Sequence, residues 1–251
     1  MQTFFPKLKA KKVAVETVPE ISSTNDVLAG RIGQSSQIQL LAADRQTAGH
    51  GKFDREFYSP SDGAYFSLGW PLALLPEGWT PQRLTLTAAV AAREVCDEFS
   101  GRDLTVKWVN DLYIGDRKLA GILAETALDD KNQLAGVVVG IGINLAAPAK
   151  WPRELKQRAG ALFAEPVSKQ VRLQLIDDLC SRYLDLLSKP WSEIIAAYRE
   201  KQYLAGREIV VDDGHKKTAG LFAGIDEEGR LVLQNADGKQ SFAAGTVRLA
   251  R

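Results

Sequence analysis

Two apolar arms around a two-residue turn constrain this chain more than any other stretch. Residues 106–125 read VKWVNDLYIGDRKLAGILAE, and the arms meet at Gly115-Asp116, a pair suited to a primed hairpin turn. Alternation in the second arm places Lys118, Ala120 and Ile122 on one face, and Leu119, Gly121 and Leu123 on the other. Both faces are largely apolar, as in a strand covered on both sides. Lys118 is then a cation at the end of a strand that otherwise reads as buried. Gly121 stands where a side chain should pack, which marks close approach by a ligand or another backbone. The first arm ends in Asn110-Asp111, polar groups in an apolar context.

The other elements follow from the usual signals. A strand is expected over Lys12 to Val18, with valines alternating at 13 and 15. Ser23 or Thr24 is a good N-cap for a following helix, and Asp26 favours the positive end of its dipole. Capping alone accounts for those residues. Gln39 to Ala43 reads as a strand and leads into a loop, residues 43–60, with glycines at 49 and 51 and cations at 52 and 55. Such a loop is able to approach an anion, although a plain surface loop has the same composition. Ala64 to Trp70 reads as a strand. Thr80-Pro81 opens a helix with Leu84, Ala88, Ala91, Val95 and Phe99 at helical spacing, and Gly101 ends it.

Leu134 to Leu145 reads as a buried strand with Gly140 and Gly142 on one face, leaving room for a flat ligand against the sheet or for a tightly packed helix. No third glycine follows at the spacing of a dinucleotide fingerprint. Ser168 starts a long helix with Val171, Leu175, Leu179 and Leu186 on one side, and a further helix runs from Ser192 to Tyr203. The period then changes. Short strands at Glu208–Val211, Thr218–Gly224, Arg230–Leu233, Gln240–Phe242 and Thr246–Leu249 are punctuated by Asp213-Gly214, Glu228-Gly229 and Asp237-Gly238, which predicts a small antiparallel barrel.

Composition excludes several classes. The 251 residues allow one sizeable domain and a small one. With 32 basic against 31 acidic residues the net charge is +1, which gives no electrostatic case for general nucleic-acid binding. No apolar run has the length of a membrane span, and no signal-peptide core is present. Cys96 and Cys180 lack a CxxC spacing and read as buried hydrophobes in a reducing cytoplasm. His50 and His215 lie in glycine-containing loops without a paired ligand set, so no protein zinc site is expected. There is no GxSxG elbow and no Walker loop.

Four stretches in one order carry a resemblance. KWVNDLYIGDRKLAGILAE is similar to the signature hairpin of the biotin–protein ligases, SSTND at 22–26 resembles their STN element, QTAGHGK at 46–52 their ligand-closing loop, and GIGIN at 140–144 their GxGxN strand. The last 45 residues look like their SH3-like C-terminal domain. The resemblance implies an α+β fold with a mixed-sheet catalytic domain over residues 1–204 and the SH3-like domain over 205–251. It implies ATP-dependent activation of biotin as biotinyl-5′-AMP and transfer to a lysine of a biotin carboxyl carrier domain, with Mg²⁺ accompanying ATP. Neither nucleic acid nor membrane is expected as a partner, and a homodimer is compatible with the reading.

Carried over residue by residue, the resemblance assigns biotin contacts to Ser23, Thr24, Asn25, Gln46, Gly49, His50, Gly51, Gly121, Gly140 and Gly142. It assigns nucleotide contacts to Arg55, Phe57, Lys107, Trp108, Asn110 and Asn144. Lys52 and Lys118 belong to both sets and, with Asp111, are the expected catalytic residues. Lys118 is expected to bridge biotin carboxylyl and phosphate. Asn110 and Asp111 are expected to orient the nucleotide and its metal, with no other side chain assigned to a metal. Only 22 residues precede Ser23, too few for the winged-helix domain of larger family members, so no repressor function is expected.

Two departures stand out: Val109 where the family has Pro, and Gly49-His50-Gly51-Lys52 in place of GRGR. Lysine is a point charge and histidine near neutral, whereas arginine offers a two-pronged fork. The loop is therefore expected to hold an acyl-adenylate less firmly. Replacing Lys52 and His50 by Arg should slow escape of the intermediate, and unchanged release in a quenched-flow assay would remove the idea. Competing readings are a lipoate or octanoate ligase, a non-catalytic biotin or adenylate sensor, and a nucleic-acid-binding barrel. Arg248 has no settled counterpart in the family and is not assigned.

Overall fold

The computed structural model describes residues 4–250. Among them the chain forms five α-helices and twelve β-strands. After the short α1 (Pro6–Ala10), strand β1 (Ala14–Ile21) leads to α2 (Thr24–Ile32), β2 (Gln39–Gln46), β3 (Gly63–Pro71) and α3 (Pro81–Ser100). Strands β4 (Thr105–Lys107), β5 (Asp111–Ile114), β6 (Arg117–Leu128) and β7 (Leu134–Asn144) complete a mixed sheet of order β1-β2-β3-β7-β6-β5-β4. Only β1 and β2 run parallel; the other neighbours are antiparallel.

Burial shows why both faces of the central strands had to be apolar. Leu28 and Ile32 of α2 pack with Leu41, Ala127 and Val138 on one face of the sheet. Val137 and Val139, pointing the other way, belong to the main core beneath α3 and α4 (Lys169–Leu186). Strand β3 is buried at every position because β2 and β7 flank it and helices cover both its faces. Helix α3 begins at the Thr80 cap, whose side chain accepts the Arg83 N–H, and ends at Gly101 with φ 65°. Buried Asp177 of α4 accepts the backbone N–H groups of Lys7 and Leu8, fastening α1.

Several boundaries move, two of them for a clear backbone reason. The first strand starts at Ala14 rather than Lys12, since Lys12 takes φ 59° directly after α1, a helix the sequence did not reveal. The helix expected to reach Tyr203 is α5 (Trp191–Glu200). The chain leaves it early because Lys201 O accepts the Val106 N–H and the Tyr203 N–H donates to Val106 O, extending the sheet edge at β4.

Residues 208–249 form a five-stranded antiparallel sheet, ordered β11-β10-β9-β8-β12. Its strands are β8 (Glu208–Asp212), β9 (Lys217–Ile225), β10 (Leu231–Asn235), β11 (Gly238–Phe242) and β12 (Thr246–Leu249). The β9–β10 turn docks on the larger unit. Gly229, at φ 81°, presents a carbonyl that accepts Gln82 Nε2 (2.6 Å) and Trp108 Nε1 (3.0 Å). Arg199 Nε donates to Ile225 O at 2.7 Å.

Candidate functional site

The site grows from the start of α2. Ser23 is the N-cap, its Oγ accepting the Asp26 N–H at 3.3 Å. Thr24 and Asn25 are buried against β3 and β7. Ser67 Oγ lies 2.7 Å from Thr24 Oγ1 and 2.6 Å from Asn25 Oδ1, donating to one at a time. Gln46 Oε1 accepts both the Thr24 N–H (2.8 Å) and its hydroxyl (3.0 Å). Asn25 Nδ2 donates to Glu125 Oε2 at 2.7 Å and Leu123 O at 3.3 Å. Capping and a polar floor are thus built from the same residues.

Side chains of the protein itself press closely on the glycine face of the sheet, and Gly121, Gly140 and Gly142 also line the cavity. An added Cβ on Gly140 would stand 2.2 Å from Asn25 Oδ1, and one on Gly142 only 2.5 Å from the Phe57 ring. Gly121, paired with Gly142, carries the same ring at 3.1 Å. These glycines let α2 and the Phe57 segment press onto bare backbone.

Lys118 departs from the alternation expected for it. The register of β5 against β6 shifts between Leu112 and Tyr113, so that Tyr113 pairs with Lys118 while Leu112 pairs with Ala120. This bulge at Leu119 breaks the period of two. Lys118 Nζ consequently lies 3.3 Å from the position of a Gly121 Cβ, on the glycine face instead of with Ala120 and Ile122. There it meets Asp111 Oδ1 at 2.7 Å. That oxygen is buried and has no aligned hydrogen bond, so the contact is an ion pair. Asn110 is pinned beside it by Nδ2 donating to Ile122 O at 2.7 Å.

The 47–60 segment closes the cavity. Gln46 Nε2 donates to Ser59 Oγ at 3.2 Å, and the Phe57 N–H donates to Gly49 O. Gly49 lies under this fold of the loop and does not face the cavity; a Cβ there would meet Ser59 Oγ at 2.6 Å. Gly51, Lys52 and His50 do line it. Phe53 adopts φ 60° and is 68% exposed, a left-handed aromatic at the loop tip. Arg55 reaches the C-terminal sheet, its Nη2 donating to Thr246 Oγ1 at 3.1 Å. No metal-ligand spacing marks the sequence, yet the fold brings Asp26, His50 and Glu125 together at the cavity rim.

Two compartments result. The inner one, about 250 Å³, has the α2 residues and the glycine strands for its floor. The outer one, about 930 Å³, shares Lys107, Asp111, Lys118 and Phe57 with it. Asn144 lies in the outer compartment, its Nδ2 donating to Gly160 O at 3.0 Å. Trp108 lines the inner one, with its indole N–H taken by Gly229. Residues that carry no role from the sequence are Trp151 and Arg158 of the outer wall, Tyr113 stacked on Tyr203 at 4.3 Å, and Arg248, which the resemblance leaves unassigned. Ser67 had a visible signal, a hydroxyl within an otherwise apolar strand.

Burial pulls the pKa values of both Lys52 and Lys107 below the ordinary lysine value, against the opposing pull of Asp111. Lys118 and Arg248 push Lys107 further down. The site therefore gathers cations at a cost that an incoming anion relieves.

Residues 17–144 match the biotin/lipoate A/B protein ligase family, and residues 205–249 match the biotin protein ligase C-terminal domain. The chain is 30% identical over 231 residues to a biotin–[acetyl-CoA-carboxylase] ligase of Paracoccus denitrificans, covering 86% of this chain and 91% of that one. It is 28% identical over 240 residues to the bifunctional ligase/repressor BirA of Escherichia coli, covering 94% and 74%. Its fold is similar to that of a biotin protein ligase from Aquifex aeolicus solved with biotin and ATP, with a TM-score of 0.81 at 24% identity, covering 94% of this chain and 99% of the other. With both matched segments in place and the motifs gathered around one cavity, this chain belongs to the biotin/lipoate A/B protein ligase family.

Proposed function

We propose that this chain activates biotin with ATP as biotinyl-5′-adenylate and transfers the acyl group to a lysine of a biotin carboxyl carrier domain. The carrying observation is the pair of joined compartments with Lys118, Lys107 and Asp111 in their shared wall. The hydroxyl of Thr24 and the amides of Asn25 and Gln46, all lining the inner compartment, suit a small neutral ring with both donors and acceptors, as in a ureido head. The outer compartment, walled by Trp151, Tyr58 and Arg158, suits a nucleotide. Residues 1–204 act as the catalytic unit in this reading and 205–251 as an appended one that closes the cavity through Thr246 and Val247.

Activation brings two anions together. Lys118 holds the carboxylate against the α-phosphorus and stabilises charge developing on phosphate oxygens, with Lys52 as a second cation. The carboxylate attacks phosphorus and pyrophosphate leaves. The carrier amine then attacks the mixed anhydride and AMP leaves, with Asp111 steering the lysine. Positioning supplies much of the acceleration. Asp111 and Asn110 would hold a nucleotide-bound Mg²⁺, the carboxylate offering hard oxygens of which Oδ1 has the Lys118 ammonium as its partner and no aligned hydrogen bond. The ion would neutralise phosphate charge there. Among the described residues no helix is long and apolar enough to cross a membrane; a cytoplasmic location belongs to the proposal. A homodimer likewise belongs to the proposal.

Intact mass of a carrier domain after incubation with this chain, Mg-ATP and biotin tests the reading. One biotin-sized adduct is expected, with none from lipoate. An adduct from lipoate instead would transfer the assignment to the lipoate branch.

Nucleotide binding should take up protons. A bound polyphosphate raises the depressed pKa values of Lys52 and Lys107 again, so the complex holds more protons than the free chain. Affinity for ATP is then expected to fall as pH rises through the lowered lysine range, short of 10.5. Calorimetry in buffers of different ionisation heat should show net uptake at alkaline pH, reduced in Lys107→Met. Equal heats across buffers at alkaline pH would contradict it.

A further inference from the structure

We propose that Asp26, His50 and Glu125 form a binding site for a divalent transition-metal ion of the Zn²⁺ class at the rim of the inner compartment. They come from the first turn of α2, the 47–60 loop and strand β6, and among the described residues they form the histidine–carboxylate group whose donor atoms all lie within 4.8 Å of one another. His50 Nε2 stands 3.4 Å from Glu125 Oε2 and 3.7 Å from Asp26 Oδ1. Both separations exceed an ordinary N–H···O bond, and a single imidazole N–H has no means of serving two carboxylates at once. The first is close to the ligand-to-ligand edge of about 3.3 Å that follows from tetrahedral coordination with bonds of about 2.0–2.1 Å, and the second is a few tenths of an ångström longer. One nitrogen and two carboxylate oxygens form a donor set that Zn²⁺ accepts, with the fourth position open to solvent.

A second observation concerns orientation. Glu125 Oε2 is held from behind by Asn25 Nδ2 at 2.7 Å. An outer hydrogen bond of this kind fixes a ligating carboxylate before the ion arrives. Asn25 is itself held by Ser67, so the site is tied to the buried floor of the cavity. An ion there joins the loop carrying Lys52 to both α2 and β6, and fastens it over the inner compartment. The site thereby places loop closure under the control of metal availability, separately from any Mg²⁺ that arrives with a nucleotide. The binding itself does not depend on the ligase reading.

The test is titration of the full chain with Co²⁺, read by its visible absorption, followed by displacement with Zn²⁺. One equivalent is expected to give tetrahedral-type bands that Zn²⁺ abolishes. His50→Ala and Glu125→Gln should each weaken binding by more than about a hundredfold, beyond the roughly 10–100-fold loss typical of an outer-shell partner. His215→Ala, on the remote β8–β9 turn, should leave it unchanged. Far-UV circular dichroism establishes that each variant is folded. Hydrogen exchange of amides 47–60 should slow on Zn²⁺ addition in the unaltered chain and not in His50→Ala. Absence of the bands, their survival in folded His50→Ala or Glu125→Gln, or unchanged exchange in the loop would overturn the site.

Discussion

Lys118→Ala is expected to lower the rate of biotinyl-adenylate formation by about 10²–10³-fold, the range seen when one preorganised stabilising group is removed from a developing anion. The side chain lines both compartments and its ammonium is the one held 2.7 Å from Asp111. Its backbone is fixed independently. The Lys118 N–H donates to Arg158 O at 2.7 Å, and the Gly160 N–H donates to Lys118 O at 2.8 Å. Truncation beyond Cβ therefore leaves β6 in place. Pyrophosphate release in a single turnover should fall by the stated factor, while biotin affinity changes far less because the polar floor is untouched. Lys118→Arg should not restore the rate, since a planar fork does not replace a compact point charge beside Gly121. A truncated enzyme within fivefold of the unaltered rate would remove Lys118 from the centre of the mechanism.

The reason this residue was legible, and its orientation was not, lies in what a sequence records. A lysine two residues beyond a Gly-Asp turn, in a strand otherwise apolar, announces itself from periodicity. The bulge at Leu119 that swings it onto the glycine face is a property of register between β5 and β6, set by packing on both sides of the hairpin. Likewise Thr24 and Asn25 read as helix-cap neighbours, whereas their partners Ser67 and Glu125 sit on strands remote in sequence. The outer wall was invisible for another reason. Trp151 and Arg158 lie in an irregular connection between β7 and α4, where no period marks which side chains turn inward. Long periodic elements such as α3 and α4 came through with their caps because local signals and burial agree there. The early end of α5 did not, since β4 competes for the backbone of Lys201 and Tyr203.

The glycine strand supplies the other large effect. Gly140→Ala would set a Cβ 2.2 Å from Asn25 Oδ1 and 2.8 Å from its Cγ. Asn25 cannot yield by a small rotation. Its Nδ2 is committed to Leu123 O and Glu125 Oε2, its Oδ1 meets Ser67, and its backbone is in the first turn of α2. Either the amide leaves the floor or the start of α2 lifts from β7. Overpacking of this kind costs about 1–3 kcal/mol, which at about 2–4 °C per kcal/mol is a visible fall in Tm. Displacing Asn25 also costs the floor one acceptor, and a lost hydrogen bond of about 0.5–1.5 kcal/mol should weaken biotin binding by about twofold to tenfold. Gly30→Ala is the companion measurement on the same helix. Nothing lies within 4 Å of its added Cβ, so the change should stabilise the chain by about 0.5–1 kcal/mol. Opposite signs for the two alanines in a calorimetric Tm comparison, with biotin affinity lost only in the first, would mark Gly140 as a position kept bare for Asn25. Undiminished biotin affinity in Gly140→Ala would mean that the floor described here does not hold the ligand.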